Sequence, residues 1–298
     1  MTGYSTLLTP GRSVVQARAM VVGLVYSIKD LAGSGIAEVI REWVGAERAE
    51  VPGARRAWSI PSLNAVMAEY EEDIIYVSGF EKVVDGVEYI VYLSRHSSAA
   101  GVPSLTTHHT GVPRREALAG GRPLTLSIAN PPVAYTLLMN LFREAERAGL
   151  EGFEITYEVT HHGPTDVSVP LTFVEIGSKE EQWVRRDARE VVASAVIDLL
   201  REGPRPCTPS TGFGGPHYAG PFTQRSLRYG ECFGHIIPRY AIRELLGNEE
   251  ALASVVRQAL TRSSPTPVKA VVLKKVQSSV KKVIAEIAES LGVGVVIA

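Results

Sequence analysis

Residues 130–162 read NPPVAYTLLMNLFREAERAGLEGFEITYEVTHH. Asn130 is a helix N-cap residue, proline follows at the first helical position, and Gly149 supplies the stop. The spacing predicts a helix between them. After a short turn the period changes. Phe153, Ile155, Tyr157 and Val159 alternate with Glu154, Thr156, Glu158 and Thr160, which predicts a strand with one apolar and one polar face. A helix delivered straight into a strand is the unit of an α/β fold. The strand ends on two adjacent histidines, His161 and His162, in a chain with only seven.

The same alternation runs outward in both directions. Residues 19–27 (AMVVGLVYS) form an apolar run of strand length, and IAEVIREWV after it is helical. IIYVSGF (74–80) and YIVYLS (89–94) read as buried strands, and PLTFVEIGS (170–178) as another. Ser178 with Glu181 reads as a capping box opening a helix with Val184, Ala188, Val191, Val192, Ala195 and Leu199 on one stripe. Residues 203–230 are rich in Gly and Pro and read as a long functional or disordered loop. CFGHIIP (232–238) is strand-like, two short helices follow, and VKAVVL, VQSSVKKVIAEIAESLG and VGVVIA close the chain as strand, helix and strand. The expectation is α/β, with a mostly parallel or mixed sheet flanked by helices. Residues 1–18 read as an N-terminal extension and 19–298 as a single elaborated unit, with room for a small subdomain near 203–230.

The 298 residues carry a formal net charge of −1, which argues against a broad nucleic-acid coat but leaves room for a local basic patch. No apolar run approaches the length of a membrane span, and no secretion signal is visible at the N-terminus. The two cysteines, Cys207 and Cys232, are too few for a disulfide framework and too far apart for a CxxC metal knuckle. A reducing cytoplasm is the natural setting on that reading.

His96, His108, His109, His161, His162, His217 and His235 all fall in Gly-, Ser-, Thr- or Pro-rich surroundings, and none lies within a confidently read helix. Several follow a strand's C-terminal end, where α/β sheets bind ligands. Imidazole is a zinc ligand, commonly alongside Asp or Glu. Glu158 and Glu175 stand close enough in sequence to serve as ligands, bases or orienting partners. Dinucleotide, Walker, G-x-S-x-G and HExxH patterns are absent. Any shared site therefore gathers its ligands from separate loops.

SRHSSAAGVPSLTTHHTG (94–111), EVTHHGPT (158–165), FVEIGSKEEQW (173–183), GGPHYA (214–219) and GHIIPRY (234–240) occur in that order. Together they resemble the archaeal and plant-type D-aminoacyl-tRNA deacylase family, from about residue 19 to the C-terminus. Gly220 stands where that family carries proline, and Val112 where it carries asparagine. The resemblance implies a phosphorylase/hydrolase-like α/β fold, zinc, and hydrolysis of the ester between a D-amino acid and the tRNA 3′ end. Within it, the expected metal ligands are His96, His109, His161 and His217, the choice inside each pair of adjacent histidines staying open. Glu158, Glu175, His162 and His108 are the expected catalytic groups. Arg114, Arg115, Arg225, Arg228, Tyr218 and His235 are expected to meet the substrate. Arg122, the 185–189 arginines, Arg239 and the lysine pairs at 274–275 and 281–282 are further cations. The partner is a D-aminoacylated tRNA in the cytoplasm. Oligomeric state is left open, a monomer being the simplest case. Two rival readings are a zinc-dependent aminopeptidase or amidohydrolase, and a non-catalytic RNA-binding protein with a structural metal.

Overall fold

In the computed structural model, which describes residues 20–117 and 119–298, the apolar run read at 19–27 forms β1 (Val21–Ser27). The extension read at residues 1–18 lies outside the described residues. Asp30 caps the next helix, α1 (Leu31–Val44), by accepting the Gly33 N–H at 2.8 Å. The chain continues as β2 (Glu47–Ala49), β3 (Arg56–Ile60), β4 (Ala65–Tyr70), α2 (Phe80–Val83), β5 (Val87–Ser97) and β6 (Ser104–His108). A small pair, β7 (Gly111–Val112) and β8 (Thr125–Leu126), precedes α3 (Pro131–Ala148), β9 (Glu154–Tyr157), β10 (Leu171–Ser178), α4 (Glu180–Trp183) and α5 (Arg186–Glu202). Eight of these strands build one sheet in the order β2-β3-β4-β1-β5-β10-β6-β9. Its centre is parallel from β4 to β10, β6 runs antiparallel to β10, and β9 lies parallel to β6.

One sheet face is covered by α1, α3 and α5. Val91, Leu93, Val174 and Ile176 pack there on Ile36, Leu137 and Val192. The other face changes character along its length. Ile90 and Tyr92 of β5 and Phe173 of β10 are apolar core. The next residues on that face are Ser94, His96 and Glu175, all buried. Period-two alternation thus carries a single face from hydrophobic core to polar pocket within a few residues.

A second sheet follows, from β11 (Thr208–Phe213), α6 (Gly220–Tyr229), β12 (Glu231–Ile237), α7 (Arg239–Glu244), α8 (Glu249–Thr261), β13 (Lys269–Val272), α9 (Ser278–Ser290) and β14 (Gly294–Ile297). Its order is β12-β11-β13-β14, with all pairs parallel. Segment 157–160 joins the two sheets: Val159 N–H donates to His217 O at 3.1 Å, Thr160 N–H to Ile236 O at 2.8 Å, and Ala219 N–H to Tyr157 O at 2.8 Å.

Five local readings change. IIYVSGF forms a 3-10 turn at Ile74–Tyr76 and the start of α2, not a strand; the sheet has no open edge there because β1 already pairs with β4 and β5. Ser178 is paired with Ser97 in the sheet, so the helix start moves to Lys179, whose N–H meets Gln182 Oε1 at 3.1 Å. The single helix read after it breaks into α4 and α5, with Arg185 extended between them. The Gly/Pro stretch at 203–230 holds β11 and α6: β12 and β13 pair with β11 on both sides, and the ladder shifts register between Ser210 and Gly212. Strand β9 ends at Tyr157, and residues 156–160 are buried on both faces, not one.

The two cysteines are bonded to each other. Thr208 pairs with Glu231 and Pro209 with Cys232 in the β11–β12 ladder, which brings Cys207 beside Cys232 with 5.7 Å between their Cα atoms. A separation of 25 residues conceals that adjacency until the strands are paired.

Candidate active site

The polar ends of β5, β10 and β6 supply His96, Glu175 and His108. Residue 177 must be small: a Cβ there would collide with Ser104 Oγ and come within 3.0 Å of the His96 ring. The segment after β9 adds Glu158, His161 and His162, and the loop after β11 adds His217. Two neighbours in an extended strand should face opposite ways. His162 instead sits at φ 42°, a left-handed turn that folds both rings to the same side. The ring centroids of His161 and His162 lie 4.3 Å apart, and those of His108 and His161 also 4.3 Å.

Glu158 is the hub. Its Oε2 accepts from His217 Nε2 at 2.8 Å and lies 3.5 Å from His161 Nε2; its Oε1 is 3.1 Å from His96 Nδ1. Glu175 Oε2 lies 3.7 Å from His96 Nδ1 and 3.6 Å from His108 Nε2. Both carboxylates are buried. Burial alone would raise the Glu158 pKa, but hydrogen bonds from His217 and His96 outweigh it and hold the carboxyl well below its ordinary range. Glu175 goes the other way: burial, with the Glu158 charge beside it, pushes it well above. Two neighbouring carboxyls are therefore set apart, one ionised and one protonated. Burial opposes a charge on His96 and His217, but contact with Glu158 leaves both pKa values raised.

Three imidazoles share a different arrangement. His108 Nδ1 donates to His109 O at 3.3 Å, His161 Nδ1 to Val159 O at 2.8 Å and His162 Nδ1 to Gly163 O at 2.6 Å. A carbonyl only accepts, so each Nδ1 carries the proton and each Nε2 a lone pair. Burial keeps them neutral, with His108 lowered to about 4, His162 to about 3 and His161 well below its ordinary value. Their ligand atoms lie within 4.8 Å of one another, as do those of His96, Glu158 and His217, and those of His108, Glu158 and Glu175. Buried His96 Nε2 and His108 Nε2 have no hydrogen-bond partner among the described residues. Neutral imidazoles, pinned from behind by carbonyls and aimed together, are a donor set that suits a borderline metal ion such as zinc.

Two cavities flank this wall. One, of about 270 Å³, is bordered by Asp30, Asp73, Arg95, His96, Glu175 and His217. The other, of about 210 Å³, is bordered by Val112, Pro113, Arg114 and Tyr240. His161 and His162 line both.

The expected residues divide. His96, His108, His161, His162, His217, Glu158 and Glu175 come together, and Tyr218 joins them with its ring 5.5 Å from that of His96. His109, expected among the ligands, shares no group with them; its Nδ1 donates to Gly234 O at 3.0 Å and its ring meets His235 at 6.2 Å. His108, expected as a catalytic group, stands in the ligand group where His109 was expected, because the last residue of β6 faces Phe173 and Glu175 while its neighbour faces away. His235, expected at the substrate, is fully buried, with Nε2 shared between Ser127 O and Arg262 O at 3.1 Å each. Arg114 lines the second cavity and binds Glu244 at 2.7 Å; Arg115 N–H meets the same carboxylate. Arg225 is held by Glu231 at 2.6 and 2.9 Å, at the start of β12 and thus at the far end of the second sheet. Arg228 is exposed near the end of the same helix, α6. Asp30, Asp73, Arg95 and Tyr240 were not singled out. Asp30 carries a signal as an acidic cap directly after an apolar strand, and Arg95 and Tyr240 lie within the 94–111 and 234–240 motifs.

Residues 84–296 match the tRNA_deacylase family, D-aminoacyl-tRNA deacylase. A protein of that name from Staphylothermus marinus is 42% identical over 257 residues, 86% of this chain and 91% of that one. Another, from Desulfurococcus amylolyticus, is 42% identical over 256 residues, 85% of this chain and 91% of its own. A crystal structure titled as a conserved protein of unknown function superposes with a TM-score of 0.83 at 32% identity, covering 94% of this chain and 96% of that one.

Proposed function

Since the chain belongs to the D-aminoacyl-tRNA deacylase family, we propose that its imidazole–carboxylate pocket hydrolyses the ester joining a D-amino acid to the 3′ end of tRNA, with zinc as its metal. The observation that carries this reading is the convergence of five histidines with Glu158 and Glu175 between two cavities. His108, His161 and His162 would hold the metal through Nε2, in place of the set read from sequence. Bound there, zinc supplies a Lewis acid for the ester carbonyl and lowers the pKa of a water towards ~7.

The chain's own groups do the rest. Ionised Glu158 takes the proton of the attacking water at an Oε atom, and His217, half-exposed and 2.8 Å away, passes it to solvent. Glu175 holds a proton beside His96 and His108 that the departing ribose oxygen can take. The first cavity, edged by Asp30 and Asp73, receives the aminoacyl group with its ammonium. The second receives the terminal adenosine against the Tyr240 ring. His161 and His162 stand between them, where the Cα configuration is read. Acting on charged tRNA places the enzyme in the cytoplasm; no helix among the described residues is long and apolar enough to cross a membrane.

The deciding experiment compares D-tyrosyl-tRNA with L-tyrosyl-tRNA for the zinc-loaded protein and its Glu158→Gln variant. Fast release of D-tyrosine alone, lost in the variant, is expected. Equal release of both enantiomers, or a variant as active as the parent, would overturn the reading.

A further inference from the structure

The four strands of the second sheet are parallel, so their C-terminal ends open on one edge. Such an edge is where open α/β sheets bind ligands. Here it holds a cavity of about 500 Å³. The loop after β11 contributes Gly215 and Pro216, the turn after β12 contributes Arg239, and the turn after β13 contributes Leu273, Lys274 and Lys275. No Asp or Glu side chain lines it; Ala298, whose O accepts the Lys274 N–H at 2.7 Å, closes one wall. Gly214 and Gly215 lie at φ 106° and 88°, and a Cβ on Gly214 would come within 2.9 Å of Val276. The main chain is thereby held against the cavity wall, with Gly215 O fixed by the Arg239 N–H at 3.1 Å.

The three cations differ from the arginines favoured by sequence position. Arg114 and Arg225 are committed to Glu244 and Glu231. Arg239, Lys274 and Lys275 are exposed and form no ion pair among the described residues. Three cations without an ion pair, against the single terminal carboxylate at Ala298, give this concavity a local positive excess in a chain of net charge −1. The cavity also shares walls with the hydrolytic pocket through two pairs of consecutive residues. Pro216 lines the crevice, and His217 holds Glu158. Arg239 lines the crevice, and Tyr240 lines the second cavity beside His161 and His162.

We propose that this crevice grips the phosphodiester backbone leading to the 3′ terminus of the tRNA, with Arg239, Lys274 and Lys275 on the phosphates and Leu273 beneath a base or ribose. This rests on the deacylase reading for the identity of the strand. Three exposed cations spread along an open, partly apolar groove suit successive phosphates better than one enclosed phosphate. Phosphate contacts of this kind fix position and register without reading sequence.

The test uses the full-length, zinc-loaded protein and the triple variant Arg239→Gln/Lys274→Gln/Lys275→Gln. Fluorescence anisotropy with labelled, uncharged tRNA gives Kd across a KCl series; hydrolysis of the D-tyrosyl ester of adenosine, which carries no phosphate, is measured in parallel. Removing three contacts should weaken tRNA binding ~10-fold or more near physiological salt and flatten the log–log salt slope by about two units, at ~0.7 per contact. Turnover of the adenosine ester should stay at the parent rate. An unchanged tRNA Kd and slope would overturn the proposal. So would a variant that loses affinity for pyrophosphate while tRNA binding is untouched, since the crevice would then hold a small phosphate ligand. Failure of the parent protein to hydrolyse the adenosine ester would break the hydrolytic reading, while the anisotropy still decides the crevice.

Discussion

The molecule contains two groups of histidines, one at the cavity wall and one in the interior, separated at the junction of His108 and His109. His108, His161 and His162 each anchor Nδ1 on a main-chain carbonyl, which leaves Nε2 with its lone pair, and their ligand atoms lie within 4.8 Å of one another. His109 and His235 also anchor on carbonyls, but His235 meets Thr160, Ser127 and Arg262, and neither ring reaches a carboxylate. In both groups the surroundings hold the imidazole pKa values down, but His161 and His162 border open cavities whereas His109 and His235 are closed off from solvent. What separates a reactive group from a structural one is where the second nitrogen points and whether a carboxylate waits there. The first group has Glu158 and Glu175; the second ties β12 to the loop before α3.

The largest effect expected from this contrast is at Glu158. Glu158→Gln keeps the side-chain volume and removes the charge, so turnover should fall ~10³-fold while zinc content, measured by atomic emission, is retained. Next comes the pair itself. His108→Ala should lose both metal and activity, whereas His109→Ala should keep its metal and lose stability, by about 1–3 kcal/mol in urea unfolding, through the Gly234 carbonyl it leaves unsatisfied. Identical metal contents for the two variants would erase the distinction.

The disulfide gives a third handle, because it ties the strand leading to His217 to the strand carrying His235. Replacing Cys207 and Cys232 by Ala should lower unfolding free energy by about 2–4 kcal/mol with metal content unchanged. A loss of metal instead would show that the staple positions His217 as well as stabilising the sheet.

The smallest effect is in pH dependence. Burial lowers the His109 pKa to about 3 and the His235 pKa to about 4. Unfolded imidazole titrates near 6.5, so below that pH the unfolded chain binds protons that the folded one excludes. Stability contributed by these two residues is complete above about 6.5 and is lost as pH falls towards their folded values. Each steepens the decline by ~1.4 kcal/mol per pH unit in that window. His109→Gln should remove one such increment from urea midpoints compared at pH 6.5, 5.5 and 4.5; an unaltered slope would show that His109 takes up a proton in the folded protein.

Much of this was legible beforehand. Asn130, Gly149 and the alternation after Phe153 announced a helix and a strand, and both form. The terminal strand–helix–strand also forms where its apolar pattern placed it. Seven of the nine candidate His and Glu residues meet in one pocket. The two that do not, His109 and His235, carry the same Gly-flanked context as those that do, so local composition could not sort them. Alternation put His161 and His162 on opposite faces, and the left-handed turn at His162 cancelled it. Arg225 looked well placed beside the histidine motifs, but helix α6 carries it to the opposite edge of the sheet.

Periodicity, capping and turn residues act over a few positions, and the sequence alone therefore determined the element types, the α/β class and the inventory of groups available for chemistry. Which nitrogen faces which carboxylate, which cation stays unpaired and which cysteine meets its partner depend on strand order and register. Those are set by packing between segments up to a hundred or more residues apart, and only the tertiary structure decided them.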